Sequence, residues 1–317
     1  METNIDEGPS RPPGEVQSSP AAVDVSIILC TFNRRRQLAE SLADIARLDI
    51  PHGWTVELVL VDNGSSDGTE ELAKGAVLPN VSLRYVFEPR KGKGYAYNAG
   101  LAAASGAVFL FTDDDTRVPR NWVEAMCRPI LEKRAAAVQG GVRIAAHLER
   151  PWLKGVLRTW VAEVMDPVHA PAGLVGANMA VGREALGICG PFDVRLGPGA
   201  AGFFDDTVFG WALQAAGREI LYLPSVAVEH HFDPDRLSLQ AFMISAQRMA
   251  RSRALVFRDW DPLIPDRSWI ALLRYAPALG FRAATQLARY AIGRQPDAGF
   301  LYYYYRLCLW RAYRTPR

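Results

Sequence analysis

An α/β fold is expected, built of βαβ units whose first strands lie parallel. Three observations predict it. Short apolar runs rich in Val, Ile, Leu and Phe recur at 25–31, 56–62, 81–87 and 108–112, the pattern of strands buried on both faces. Stretches with apolar residues at helical spacing separate them, and such alternation argues for parallel pairing. Polar loops close three of the runs: Thr31-Phe32-Asn33, Asp62-Asn63 and Asp113-Asp114-Asp115. In a parallel sheet these loops share one edge and line one crevice, outside the carboxyl ends of the strands.

Length and composition bound the rest. The chain has 317 residues, 49% hydrophobic and 22% charged, enough for one sizeable core with an appendage. A net charge of +2 gives no case for a nucleic-acid partner. The charge is unevenly placed. From Arg267 to the end stand nine Arg and one acid, Asp297, a net of +8 that leaves −6 for the remainder. Cys30, Cys127, Cys189 and Cys308 are scattered, with no C-x-x-C and no zinc spacing, as expected of free thiols in a reducing compartment. The first residues lack the apolar core of a secretory signal. No apolar run reaches the ~20 residues of a membrane span. A cytoplasmic chain follows as the expectation, and the Asn80-Val81-Ser82 acceptor triplet is then a chance match.

In chain order, residues 1–22 are rich in Pro, Ser, Gly and Glu and read as a disordered tail. The strand at 25–31 leads through the turn Phe32-Asn33-Arg34 into a helix at 37–48, with Leu38, Leu42, Ile45 and Leu48 on one face. The strand at 56–62 ends in Asn63-Gly64, a tight-turn signal. Asp67 with Glu70 three residues on has the form of a capping box for a helix running to about 74. The strand at 81–87 leads into the basic, glycine-rich loop Arg90-Lys91-Gly92-Lys93-Gly94 and a helix over 95–104. The next strand carries the aspartates. Beyond it are expected a helix at 121–133, strands at 136–144 and 174–181, and an aromatic helix at 152–164. A glycine-rich loop at 190–202 precedes a helix opened by Phe204-Asp205-Asp206-Thr207 and ended by Gly217. Short strands at 219–223 and 226–228, the triplet Glu229-His230-His231 and a long helix at 237–258 follow.

Three consecutive carboxylates at a strand end repel one another unless a cation sits among them. A divalent ion with hard oxygen ligands meets that need, and Mg²⁺ retains phosphate oxygens among its ligands. The stretch therefore reads as a place where a metal-bound diphosphate is held. The plain alternative is an acidic turn.

The segments 25–33, 59–69, 91–100, 111–116, 175–180 and 204–217, in that order, resemble family 2 glycosyltransferases. The resemblance covers about 25 to 231. It implies the GT-A fold, a Rossmann-like nucleotide-binding half with a mixed sheet, here with a helical C-terminal appendage. It also implies inverting transfer from a nucleotide-diphosphate sugar, with Mn²⁺ or Mg²⁺, to a glycan, lipid-linked or small-molecule acceptor. The domains would run 1–22 (tail), 23–235 (transferase) and 236–317 (helical).

Carried over by residue, the resemblance implies that Thr31 and Phe32 line the base pocket, that Asn33 belongs to the donor-binding set, and that Asp62 accepts a hydrogen bond from the base. Asp113 and Asp114 would face the ribose. Asp115 would bind the metal with His230 nearby, and Asp206 would be the catalytic base. Two positions depart from the family pattern. Asp205 stands where a Glu is usual, and Tyr97 where many members have Arg or Leu. Lys91 and Lys93 are candidates to supply the missing charge near the diphosphate. The bland readings are a surface Lys, a His in polar packing, an Asp favoured at a helix N-terminus, and a strand Asn, Asn178, that satisfies backbone rather than touching sugar.

Two other classes compete. A nucleotidyltransferase wants a Gly-rich, Arg-containing signature after the first strand, where Thr31-Phe32-Asn33 stands instead. A non-catalytic sugar-nucleotide sensor or assembly partner is disfavoured by the adjacent acids Asp205-Asp206. Near the C-terminus, Arg274, Arg282 and Arg289 recur through apolar sequence, and Tyr302 to Tyr305 and Trp310 follow among Arg residues. Such a segment either lies on an anionic membrane, which makes 267–317 a peripheral contact on the inner face of the cell membrane, or packs as a helical appendage on the domain.

Overall fold

The computed structural model describes residues 23–165, 173–259, 268–293 and 297–314. The expected tail at 1–22 lies outside the described residues. One mixed sheet organises the chain. Its strands are β1 (Val25–Thr31), β2 (Val56–Asp62), β3 (Ser82–Phe87), β4 (Val108–Asp113), β5 (Thr116–Arg117), β6 (Ala137–Ile144), β7 (Asn178–Gly182) and β8 (Ile220–His230), in the order β3-β2-β1-β4-β7-β6-β8-β5. The first four strands are parallel, as the alternation predicts. β7 then runs antiparallel to both β4 and β6, β6 and β8 are parallel, and the two-residue β5 pairs antiparallel with the end of β8.

Helices cover both faces because alternate strand residues point to opposite sides. On one face, Ile27, Leu29, Leu58, Leu60 and Leu110 meet Leu38, Leu42 and Ile45 of α1 (Arg35–Ile45) and Trp122 and Met126 of α4 (Trp122–Leu131). On the other, Ile28, Val59, Val61, Phe109 and Phe111 meet α3 (Lys93–Ala103) and α7 (Asp205–Ala215). The short α2 (Thr69–Gly75) and α6 (Arg183–Cys189) complete these layers.

Several expected elements change. The capping box does not form: Gly68 occupies the N-cap of α2, and Asp67 instead accepts from the Arg35 backbone N–H at 2.8 Å, tying α1 to the second loop. The helix expected at 152–164 shrinks to α5 (Val156–Trp160), and Val164 bridges to Val142. The two strands expected between 219 and 228 are one strand, β8. Its register against β6 jumps from Gly140↔Leu223 to Gly141↔Ala227, so Pro224, which cannot donate to a ladder, sits in the irregularity. Asn178 is the plug beside it. Its side-chain amide donates to the Gly141 and Val226 carbonyls at 2.7 and 2.9 Å, and its oxygen accepts from the Trp122 indole at 2.8 Å. A Cβ at Gly140 would lie 2.2 Å from that amide, which is why the strand needs glycine there. Asn178 therefore does the backbone-satisfying work, fully buried.

α8 (Leu239–Asp259), α9 (Ser268–Gly293) and α10 (Ala298–Arg314) form the helical end. Phe242 and Ala246 of α8 join Leu301 of α10, Trp160 and Phe232 in a third core cluster, which welds these helices to the sheet domain. α9 is different: Phe281, Leu287 and Ile292 are 69, 72 and 90% exposed.

Candidate functional site

The carboxyl ends of β1, β2 and β4 bring the polar loops to one edge. The turn after β4 is held from below: the Ser41 hydroxyl donates to the Asp114 and Thr116 carbonyls at 2.8 and 3.0 Å, and the Thr116 hydroxyl lies 2.9 Å from the Asp113 carbonyl. So anchored, the three aspartates diverge. Asp113 pairs with Lys93 Nζ at 2.6 Å. Asp114 accepts from the Thr31 hydroxyl at 2.8 Å and from Arg34 Nη1 at 3.0 Å. The same Arg34 nitrogen reaches Asp115 at 2.6 Å.

β8 delivers His230 to this cluster. Thr116 pairs with His230, and the His231 backbone N–H donates to the Asp115 carbonyl at 2.7 Å. His230 Nε2 then stands 3.4 Å from Asp115 Oδ1. Its Nδ1 lies 2.9 Å from the Val161 carbonyl, which can only accept, so Nδ1 carries the hydrogen. In the neutral ring this leaves the Nε2 lone pair facing a carboxylate oxygen, the arrangement of two ligands around one cation, with the carbonyl fixing the tautomer. Among the described residues, no cluster of three or more His, Cys, Asp or Glu side chains is arranged to hold a metal ion. Asp115 and His230 are two side chains of the right type to ligate a divalent ion, whose remaining positions phosphate oxygens and water would fill, as for Mg²⁺.

The electrostatics follow the contacts. Burial alone would raise the Asp115 carboxyl. With the His230 ring protonated in the absence of a cation, that ring and Arg34 outweigh burial and hold it well below the usual carboxylate range. Asp114 goes the other way, pushed up to about 6 by burial and by Asp115 against the pull of Arg34.

The helix opened by Asp205 and Asp206 faces the same edge. Asp206 Oδ2 accepts from the Gly176 N–H and Oδ1 from the Thr207 N–H, each at 2.7 Å. Asp205 is buried beneath Gly197, whose Cβ, were there one, would lie 2.6 Å from the Asp205 carboxyl carbon. The adjoining Pro198 carbonyl accepts from the Lys93 N–H at 2.8 Å, so the glycine loop and the Lys93 loop are stitched together. Burial and the neighbouring Asp206 push Asp205 up to about 7, while burial raises Asp206 against the Gly176 N–H. Both adjacent acids thus hold their protons more tightly than ordinary carboxyls.

The remaining expected residues occupy the other end of the edge. Phe32 is 46% exposed, with Lys91 Nζ 3.9 Å over its ring. Asn33 clasps the second loop: its backbone N–H donates to Ser65 Oγ and its side-chain oxygen accepts from the Ser66 N–H. Asp62 is buried, accepting from the Ser65 N–H at 2.7 Å and the Tyr85 hydroxyl at 2.9 Å. Thr31 turns its hydroxyl to Asp114. The structure therefore gathers Lys93, Asp113, Asp114, Asp115, His230, Asp205 and Asp206, and sets Phe32, Asn33 and Asp62 along the same loop edge.

Two charged residues near the site have no role that spacing announces. Arg34 reads only as a turn residue, although an Arg run follows the first polar loop. Arg236 gave no local signal. Tyr97 stands out for another reason: its buried hydroxyl has no hydrogen-bond partner, and its ring is wedged between Phe111 and Phe192.

Comparisons with known proteins bear on the family and the fold. The sequence model of the family described as Glycosyl transferase family 2 matches residues 26–171. Over 178 residues the chain is 30% identical to an uncharacterized glycosyltransferase of Mycobacterium tuberculosis, covering 55% of this chain and 74% of that one. It is 26% identical over 232 residues to the succinoglycan biosynthesis protein ExoM of Rhizobium meliloti, covering 68% of this chain and 69% of the relative. The pneumococcal glycosyltransferase GlyG aligns over 38% of its length. Among solved structures, a mannosyltransferase of Pyrobaculum calidifontis, PcManGT, in complex with GDP-Man and Mn²⁺, superposes with a TM-score of 0.63 at 22% identity, over 93% of this chain and 89% of that one. Staphylococcus aureus TarS superposes with a TM-score of 0.51 at 18% identity, over 92% of this chain and 54% of that one.

Proposed function

We propose, from the premise that this chain belongs to glycosyltransferase family 2 and is a glycosyltransferase of the GT-A fold, that it transfers a sugar from a nucleotide-diphosphate donor to an acceptor hydroxyl with inversion. One observation carries this reading: Lys93 binds Asp113 on the turn that also carries Asp115 beside His230, and the Asp205–Asp206 pair feels the charge of the same Lys93. The base of the nucleotide lies at Phe32 and Asp62, and the ribose toward Asp113.

Asp206 takes the proton of the acceptor hydroxyl. That oxygen bonds to the anomeric carbon from the face opposite the bond to phosphate, which breaks with its electron pair leaving on the diphosphate. Asp206 is oriented by the Gly176 and Thr207 N–H groups, and burial raises its basicity. A positioned base contributes about 10²–10⁴-fold. Lys93 holds charge developing on the diphosphate. Mn²⁺ or Mg²⁺ held by Asp115 and His230 would add electrostatic stabilisation of the same leaving group.

The acceptor is a glycan or a lipid-linked sugar, and the helical end meets the membrane that carries it. α9 supports this: its exposed Phe281, Leu287 and Ile292 stand beside Arg282 and Arg289, the makings of an interfacial helix on an anionic bilayer. No helix among the described residues is long and apolar enough to cross a membrane. The experiment is a donor screen: thermal shift with nucleotide sugars and Mn²⁺, followed by product analysis for turnover and anomeric configuration. Turnover with retained configuration, or no stabilisation by any nucleoside diphosphate, refutes the reading.

A further inference from the structure

The turn after β8 carries a cation that the reaction above does not use. Residues Pro234–Leu237 form a single 3-10 turn, capped by Asp233, whose side chain accepts from the Asp235 N–H at 2.9 Å. The turn is pinned by buried Phe232 and Leu237 on either side. Arg236 projects from it with its guanidinium over the Phe232 ring, 5.1 Å from the centroid. Phe232 in turn meets the His230 ring edge-on at 5.0 Å. One aromatic ring thus links Arg236 to the His230–Asp115 pair.

What sets Arg236 apart is its lack of a carboxylate partner. Lys93 is paired with Asp113, and Arg34 with Asp114 and Asp115. Among the described residues, no Asp or Glu oxygen lies within 4.0 Å of the Arg236 guanidinium. The charges it feels are Asp115, Arg34, Asp113 and Asp233, and burial makes its charged form costly in spite of Asp115. A half-buried guanidinium with no carboxylate partner keeps its donors unspent until an anion arrives. Its planar fork matches phosphate oxygens two at a time, which an ammonium does not.

We propose that Arg236 is a donor-binding residue, its guanidinium holding the phosphate of the leaving nucleoside diphosphate beside the Asp115–His230 pair. This rests on the transferase reading and extends it: the leaving group is held by Arg236 as well as Lys93. Stacking on Phe232 fixes the plane of the fork before the ligand binds, so little side-chain freedom is lost on binding.

Calorimetric titration of the full chain in Mn²⁺ tests it. Wild type, Arg236→Lys and Arg236→Met are titrated with GDP, UDP and the matching nucleosides. The expected result is a loss of about 10–100-fold in nucleoside-diphosphate affinity for Arg236→Met, the range of a charge-assisted hydrogen bond removed. Arg236→Lys should fall between, and nucleoside binding should be unchanged in both, which also reports that the fold is intact. An Arg236→Met protein that binds the diphosphate within twofold of wild type overturns the proposal. So does an unchanged diphosphate affinity with weakened binding of a polyprenyl phosphate, which would give the guanidinium to the acceptor. If wild type itself binds neither diphosphate, the donor reading fails and takes this proposal with it.

Discussion

Gly176→Ala isolates the one place where packing and the proposed base meet. A Cβ at position 176 would lie 2.4 Å from the Tyr97 hydroxyl oxygen and 3.5 Å from Asp206 Oδ2. The first distance is impossible for real atoms, and the Tyr97 ring is clamped by Phe111 at 5.1 Å and Phe192 at 4.8 Å, so it has little room to withdraw. Overpacking of this kind costs about 1–3 kcal/mol. The backbone must shift, and with it the Gly176 N–H that donates to Asp206 at 2.7 Å. Tyr97→Phe removes the offending atom. It also removes a buried hydroxyl without a partner, whose desolvation costs about 1–3 kcal/mol. Tyr97→Phe alone should therefore leave stability unchanged or raise it, and in combination it should restore most of what Gly176→Ala loses, a coupling of about 1 kcal/mol or more. Denaturant unfolding of the four proteins measures the cycle, and transfer rates read the displacement of Asp206. Additive effects, or a Tyr97→Phe protein less stable than wild type by more than about 1 kcal/mol, would refute the reasoning, since the hydroxyl would then have a partner.

Asp206→Asn should retain donor affinity while lowering transfer by about 10²-fold or more; near wild-type turnover would remove Asp206 from the base role. Transfer should rise with pH as Asp206, raised by burial, loses its proton. Asp205→Asn should leave this limb in place, and a limb that disappears with that substitution assigns it to Asp205. The same pair costs stability as pH rises: its protonated form is favoured in the folded state, so the contribution is fully present below the unfolded carboxyl value near 3.8 and lost through about 7. Asp115→Ala should abolish the Mn²⁺-dependent part of nucleoside-diphosphate binding in calorimetry, and unchanged affinity would exclude Asp115 as a ligand. Intact protein should pellet with anionic vesicles at low salt and release at high salt, and Phe281→Ser with Ile292→Ser should weaken pelleting without changing transfer to a soluble acceptor. Failure of the intact protein to pellet would make α9 a merely exposed helix.

Much of the fold was legible because it is local. Buried parallel strands are continuous apolar runs, and β1 to β4 begin and end within a residue or two of the expected bounds. Long-range choices were not. A period-2 reading has no term for a strand that continues past Pro224, and β8 does so because Gly140 and Gly141 let Asn178 bridge the gap. In the site, residue types could be read and partners could not. Thr31 and Asn33 sit in the expected loop, yet their polar atoms hold Asp114 and the Ser65-Ser66 turn. Arg34 and Asp115 are 81 positions apart, and nothing in spacing announces such a pair. Likewise Asp67 had the right offset from Glu70 for a capping box, but α1 lay closer in space and took its carboxylate.

The aspartate triplet shows how three adjacent like charges become useful rather than disruptive. As the chain leaves β4 the side chains part. Asp113 turns to Lys93 at the head of α3, and Asp114 turns to Thr31 and Arg34 on the turn after β1. Asp115 meets the His230 ring carried in by β8. The surroundings separate the two inner acids, Asp114 up to about 6 and Asp115 well below the usual range. Environments that drive neighbouring carboxyls apart give them different tasks. At neutral pH Asp115 keeps its charge for a cation, and Asp114, tied to Thr31 and Arg34, serves as scaffold. Asp113 is the one of the three whose side chain keeps substantial exposure, 24%, and its Lys93 partner keeps 18%. A diphosphate approaching this edge can take Lys93 in exchange for Asp113, swapping one charge-assisted contact for another, while the contacts of Arg34 with buried Asp114 and Asp115 stay intact. The site is electrostatically assembled before any ligand arrives, which is the condition for charge stabilisation without reorganisation at the moment of reaction.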